Sequence, residues 1–242
     1  MILTLALLLT ALAAGCGEEE AADTRGDVGA GEEPYSVEID PADFVAGVDN
    51  PYLPYRPGTT WIYEGETDEG TERIEVTVTG ETREVMGVTC VVVRDQVRID
   101  GELVEDTLDW FAQDRDGNVW YFGEDSKELE NGEVVSAAGS WEAGVDGALP
   151  GIVMQADPVI GETYHQEYYR GEAEDMAKVL SLDETVELAL GAYTGCLQTE
   201  EWTPLEPGIA EHKFYARGVG VILEEKVKGG EGRIELIEFR EG

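Results

Sequence analysis

The sequence predicts an all-β protein with little helix, in which two homologous antiparallel meanders form one curved sheet, half-barrel or sandwich. Three observations carry this. Apolar residues alternate with polar ones at Trp61 and Tyr63, and again at Ile74, Val76 and Val78, the period-2 pattern of a strand with one buried face. Asp100–Gly101 and Asn131–Gly132 are the dipeptides that two-residue hairpins select, because both central positions need positive φ. Three blocks also recur in order. "GTTWIYEG" from Gly58 is echoed by "GETYHQEY" from Gly161, and "TGETREVMGVTCVVVRD" ending at Asp95 by "SLDETVELALGAYTGCLQTEE" ending at Glu201. "WFAQDRDGNVWYFGE" from Trp110 is echoed by "FYARGVGVILEE" from Phe214. A steady offset of about 103 residues between equivalents such as Thr82 and Thr185 reads as an internal duplication.

Taken from the N-terminus, the run from Met1 to Ala14 is apolar, too short to span a bilayer and suited to the core of a secretory signal. It ends in "LAAGC", which resembles the lipobox of bacterial lipoprotein signal peptides. The expectation is a signal peptide over 1–15 and lipidation at Cys16; an ordinary cleaved signal is the alternative. Acyl chains contribute about 0.8 kcal/mol per buried CH₂, so such a chain is held on a membrane without a transmembrane helix. The expected place is therefore the outer face of the cytoplasmic membrane or the cell envelope. Residues 16–34, rich in Gly, Ala and Glu, have almost nothing to bury and read as a flexible acidic tether.

A first β half is expected over 35–135, a Gly-rich insert over 136–160 and a second β half over 161–242. "DPADFVAG" from Asp40 reads as one short helix with Asp40 as N-cap and Pro41 at its first position. "VTCVVVRD" is a continuous β-branched run, as in a strand buried on both faces. In "GEAEDMAKVLSL" the repeat aligns Val179 with Val76, which makes the second part a strand. The insert has many glycines but also Trp141, Ile152, Val153 and Met154, which favour an ordered lid over disorder. Two meanders with apolar faces either stack or curl around a shared interior, and the pattern leaves both open.

Fifty-three acidic against 16 basic residues give a formal charge of −37. A chain so charged repels nucleic acid and anionic head groups, which excludes both as direct partners, and presents a solvated acidic surface that can gather divalent cations.

Few residues suggest chemistry. Cys90 and Cys196 occupy equivalent positions in the two halves and form either a disulfide across a pseudo-twofold or two separate buried thiols. His165 and Glu167 share a strand face and make at most half a metal site; the other histidine, His212, stands beside Glu211. Asp114, Asp116, Gly117 and Asn118 suit either a calcium loop or a hairpin turn. The second copy keeps the glycine and loses both aspartates, which favours the turn. No nucleophile elbow, metalloprotease helix or phosphate-binding glycine loop is present, no cofactor is expected, and carboxylates are too numerous for any pair to stand out. Aromatics form the remaining signal. Trp110, Trp120, Phe122, Trp141, Met154, Tyr168 and Trp202 are the candidates to line an apolar concavity, because runs such as "VWYF" put rings on both faces of a strand.

With "NPYLPYRPGTTWIYEG", "GAYTGCLQTEEWTPLEPG" and "FYARGVGVILEE" together, the chain resembles a group of uncharacterised exported proteins and lipoproteins of high-GC bacteria, a likeness that implies no activity. In architecture it is similar to the LolA/LppX type of lipid-binding half-barrel, which implies a curved sheet around an apolar concavity. The leading expectation is a membrane-tethered, non-enzymatic envelope protein that binds an apolar or amphipathic ligand in its sheet. The alternatives are a structural, adhesion or cation-binding acidic module, and an acidic-site hydrolase.

Overall fold

The computed structural model describes residues 35–242. The signal peptide, Cys16 and the tether lie outside them. The described chain is all-β, and its antiparallel sheet curls until it is nearly closed, so one barrel-like body takes the place of a sandwich. None of its helices is long and apolar enough to cross a membrane.

The short helix expected after Asp40 is one 3-10 turn, Pro41–Asp43, in which the Asp40 carboxylate accepts from the Ala42 N–H at 2.9 Å. It leads into β1 (Phe44–Val45) and then through residues 48–55, where Val48, Tyr52, Leu53 and Tyr55 are buried in the core. The first meander follows: β2 (Thr60–Thr67), β3 (Gly70–Val85), β4 (Val88–Ile99), β5 (Glu102–Asp114) and β6 (Val119–Asp125), in which each strand pairs with the next. Asp100 and Gly101 turn the β4–β5 hairpin at φ of 50° and 88°, the left-handed conformation that Asp-Gly tolerates. Met86 and Gly87 make the same turn between β3 and β4 at 52° and 81°, although methionine gives no such signal in sequence.

The Gly-rich insert is folded into the sheet. After the hairpin of β7 (Glu128–Glu130) and β8 (Glu133–Ser136), β9 (Trp141–Glu142) and β10 (Leu149–Met154) both pair with β6. The second meander comprises β11 (Thr163–His165), β12 (Glu167–Tyr168), β13 (Met176–Leu188), β14 (Gly191–Trp202), β15 (Ala210–Ala216), β16 (Gly220–Lys228) and β17 (Gly232–Arg240).

Two joins turn the meanders into one ring. At one, β17 pairs with β2 from Gly232↔Thr67 to Arg240↔Thr60. At the other, β10 pairs with β12 while the adjoining β11 pairs with β13. Both joins need a glycine: a Cβ on Gly65 would collide with the Arg233 carbonyl, and one on Gly151 with the carbonyl of Gln166.

Most of the interior is apolar. Trp61, Ile74, Val76, Val93, Phe111, Tyr121, Leu197, Ile222 and Leu236 are all nearly inaccessible. "VTCVVVRD" has Cys90, Val91, Val92 and Val93 buried in succession, so both of its faces are covered. Cys90 and Cys196 are separate buried thiols, so the disulfide alternative is not the one realised. Cys90 lies on β4 opposite Arg83 and Cys196 on β14 opposite Glu184, each within its own hairpin on a different side of the ring.

Candidate functional site

Alternation along β5 places Glu105, Thr107 and Asp109 on the same face as Phe111, and all four are buried. The face that carries the aromatic core therefore also carries carboxylates. Neighbouring strands extend this polar layer. Asp95 on β4 stands opposite Thr107, Asp109 stands opposite Glu124 on β6, and on the far side Thr199 of β14 stands opposite Lys213 of β15, itself opposite Glu224 of β16.

Protons are shared within this layer. Tyr121 Oη lies 2.7 Å from Asp109 Oδ1 and 2.9 Å from Glu124 Oε2. A phenol has one proton to donate, so both contacts hold only when one of the two carboxyls keeps its own proton and donates it. Burial accordingly pushes Asp109 up to about 6. Burial and then the charge of Asp109 push Glu124 well above the carboxylate range. Glu105 is carried to about 7 by burial, although Thr107 donates to it at 2.8 Å. Asp95 is likewise raised well above the carboxylate range, by burial and then by Asp109 and Glu105, and its Oδ1 has no hydrogen-bond partner.

Lys213, 2% exposed, is the only buried lysine or arginine among the described residues. Its Nζ stands 3.0 Å from Glu201 Oε2 and 3.6 Å from Glu224 Oε2. Glu201 Oε1 also accepts from Thr199 Oγ1 and Tyr215 Oη, both at 2.7 Å. Burial alone would raise Glu201, but Lys213 and these donors hold it below its ordinary value, so it is the ionised member of the layer. Glu224 is raised by burial and by Glu211, and its Oε2 makes no hydrogen bond. At this end of the ring a small recess opens to solvent between Thr67, Glu72, Glu211, Glu224, Lys226 and Ile234. Glu72 is pushed up to about 7 there, chiefly by burial.

The residues singled out in sequence have different surroundings. Trp141 donates to Glu167 Oε2 at 3.1 Å and meets Tyr121 edge-on at 5.3 Å, which ties the insert to the polar layer. Met154 is fully buried on β10. Trp120 and Phe122 lie under Phe44 of β1 at 6.3 and 5.4 Å. Trp110 is covered by the Arg83 guanidinium 3.8 Å above its ring. Tyr168 packs with His165 and Tyr35, and Trp202 lines a shallow outer recess with Pro204, Ile209 and His212.

Asp114 organises the β5–β6 turn. Its carboxylate accepts from the Gly117 and Asn118 N–H groups, from Asn118 Nδ2 and from Trp120 Nε1, all at 2.8–2.9 Å. His165 and Glu167 engage different partners, the tyrosine rings for one and Trp141 for the other. Among the described residues no three His, Cys, Asp or Glu side chains are grouped to hold a metal ion.

No family model and no curated protein matches the chain. Among solved structures it is similar to a "putative exported protein with YmcC-like fold" from Bacteroides fragilis, at 15% identity, covering 78% of this chain and 99% of that one, with a TM-score of 0.47. It is also similar to a "putative lipoprotein" from Parabacteroides distasonis, at 11% identity, covering 78% and 98%, with a TM-score of 0.42.

Proposed function

We propose that the protein is an exported, membrane-tethered envelope lipoprotein that binds an amphipathic small molecule inside its sheet and carries out no reaction on it. The observation that carries the reading is the mixed lining of the ring. Tyr55, Phe111 and Tyr121 stand beside carboxyl groups that the protein itself leaves without enough donors. A core built only for stability avoids such groups, because each buried unsatisfied polar atom costs about 1–3 kcal/mol. An apolar-plus-polar lining suits a ligand with both characters better than a plain hydrocarbon. The lipobox-like "LAAGC" supports the tether.

Two measurements test it. The full chain, expressed with its own signal in a bacterial host, should incorporate labelled palmitate and lose it in Cys16→Ser; an unlabelled wild-type chain overturns the tether. Native mass spectrometry after gentle extraction should show a bound small molecule, or the purified protein should take up an environment-sensitive fluorescent amphiphile with saturation. Absence of both overturns the binding role.

A further inference from the structure

We propose that residues 137–148 form a strap over the carboxyl layer, latched by Trp141, which lifts as protons leave the groups beneath it. This goes beyond the binding role and holds whether or not a ligand is present.

The strap is lightly tied. It contains one strand, β9, which is two residues long and pairs with β6 at Gly123↔Glu142 and Glu124↔Trp141. The chain is exposed at Ala137, Ala138 and Gly139, and again from Gly144 to Gly147. Gly139, Gly144 and Gly147 have φ of 88°, 84° and 89°, so the segment is jointed on both sides of its buried stretch. Ser140 Oγ accepts from the Ser126 N–H and donates to the Ser126 carbonyl, and the Ala143 N–H donates to the Phe122 carbonyl at 2.9 Å. The remaining ties are the Glu142–Arg83 ion pair and the bond from Trp141 to Glu167. Segments held by so few contacts open at a lower cost than the sheet that carries them.

Beneath the strap lie acids. Trp141, 5% exposed, pairs across from Glu124 and packs on Tyr121. A methyl group on Gly139 would stand 3.6 Å from Glu124 Oε1, so the strap backbone runs over that carboxyl. Glu124 shares the Tyr121 phenol with Asp109, and Glu105 of β5 and Asp175 ahead of β13 add their charge to it. Burial, and then the charges of Asp175 and Glu124, push Glu167 well above the carboxylate range. The nearby cations are committed elsewhere, Lys213 to Glu201 and Glu224 and Arg83 to Glu142 of the strap itself.

With the strap down, Glu124 and Glu167 are kept from water and hold their protons. Once it lifts they are solvated and ionise near pH 4, like any exposed carboxyl. The closed form therefore binds more protons than the open one and is favoured in acid. Above the ordinary carboxylate range, each proton released on opening makes the open form about tenfold more populated per pH unit, until pH reaches the raised values of the closed form.

Amide hydrogen exchange of the unmodified protein between pH 5 and pH 8, corrected for the intrinsic rate, tests this. Protection of strap amides such as Ala143 and Ala148 should fall about tenfold per pH unit, while β3 and β4 stay better protected at every pH. Glu124→Gln combined with Glu167→Gln keeps the shapes and removes the titrating protons, and should cut that slope by at least half on a logarithmic scale. A fall of less than about threefold per pH unit overturns the proposal, as half a proton or fewer would then be released. Strap protection equal to that of β3 and β4 overturns it too, because the segment then opens only with the whole ring, and so does a double variant that keeps more than half of the slope. The measurements on the unmodified protein stand even if the double variant does not fold.

Discussion

Lys213 and Glu201 form a buried ion pair whose two members are worth very different amounts together and apart. Lys213→Met leaves Glu201 and Glu224 buried without their cation, and is expected to destabilise the protein by about 3–5 kcal/mol in urea unfolding. Lys213→Met combined with Glu201→Leu should recover part of that loss, because the uncompensated charge goes with the lysine. A single substitution costing no more than the double would show that the pair is solvated. The trio of Asp109, Tyr121 and Glu124 makes the same point with protons in place of a cation. None of these roles was legible in sequence. Glu105, Thr107 and Asp109 alternate with Val104, Asp106 and Leu108, so both faces of β5 offer acids and apolar groups, and periodicity alone does not say which face turns inward. Phe111 decides it only once the ring has been closed.

Individual elements were far easier to read. Hairpins at Asp100–Gly101 and Asn131–Gly132, the single turn after Asp40 and the strand through Val179 all follow from local chemistry. "DRDGNVWYFGE" is a turn built around one side chain. Asp114→Ala removes an acceptor used by four donors and should cost about 1–3 kcal/mol, whereas Asp116→Ala should stay within about 0.5 kcal/mol. Thermal melts of the two variants check this, and equal losses would mean that the loop depends on both carboxylates. The joins, by contrast, gave no signal beyond a glycine. Gly65→Ala drives a methyl group into the Arg233 carbonyl, so it should open the β2–β17 seam and raise amide exchange along both strands before exchange rises elsewhere. Uniform exchange would place the weak point in another part of the ring.

For the whole molecule, the raised carboxyls set how stability depends on pH. Burial pushes Glu72 and Glu105 up to about 7 and Asp109 up to about 6, whereas an unfolded chain releases these protons near pH 4. The folded state therefore binds more protons over that interval. Their stabilisation is complete below pH 4 and is lost as pH rises through 6 and 7. Glu201 works the other way, since its lowered value gives stability that disappears in acid. Melting temperature measured at constant ionic strength should fall from about pH 5 to pH 8, against the common pattern of a maximum near neutrality. A flat or rising curve would mean that water reaches the layer. Closure of the sheet, which creates this behaviour, was beyond the reach of sequence reading because it depends on pairings between segments far apart in the chain.

The seat of β17 between β16 and β2 has a consequence for how the chain is made. During synthesis β2 emerges early and β17 more than 160 residues later, so the inner edge of β2 has no partner through most of translation. Unpaired edges recruit other strands, and this one carries Trp61, Ile62 and Tyr63. The ring can be completed only after residues 232–240 have arrived. Until then the chain depends on whatever keeps nascent strands apart.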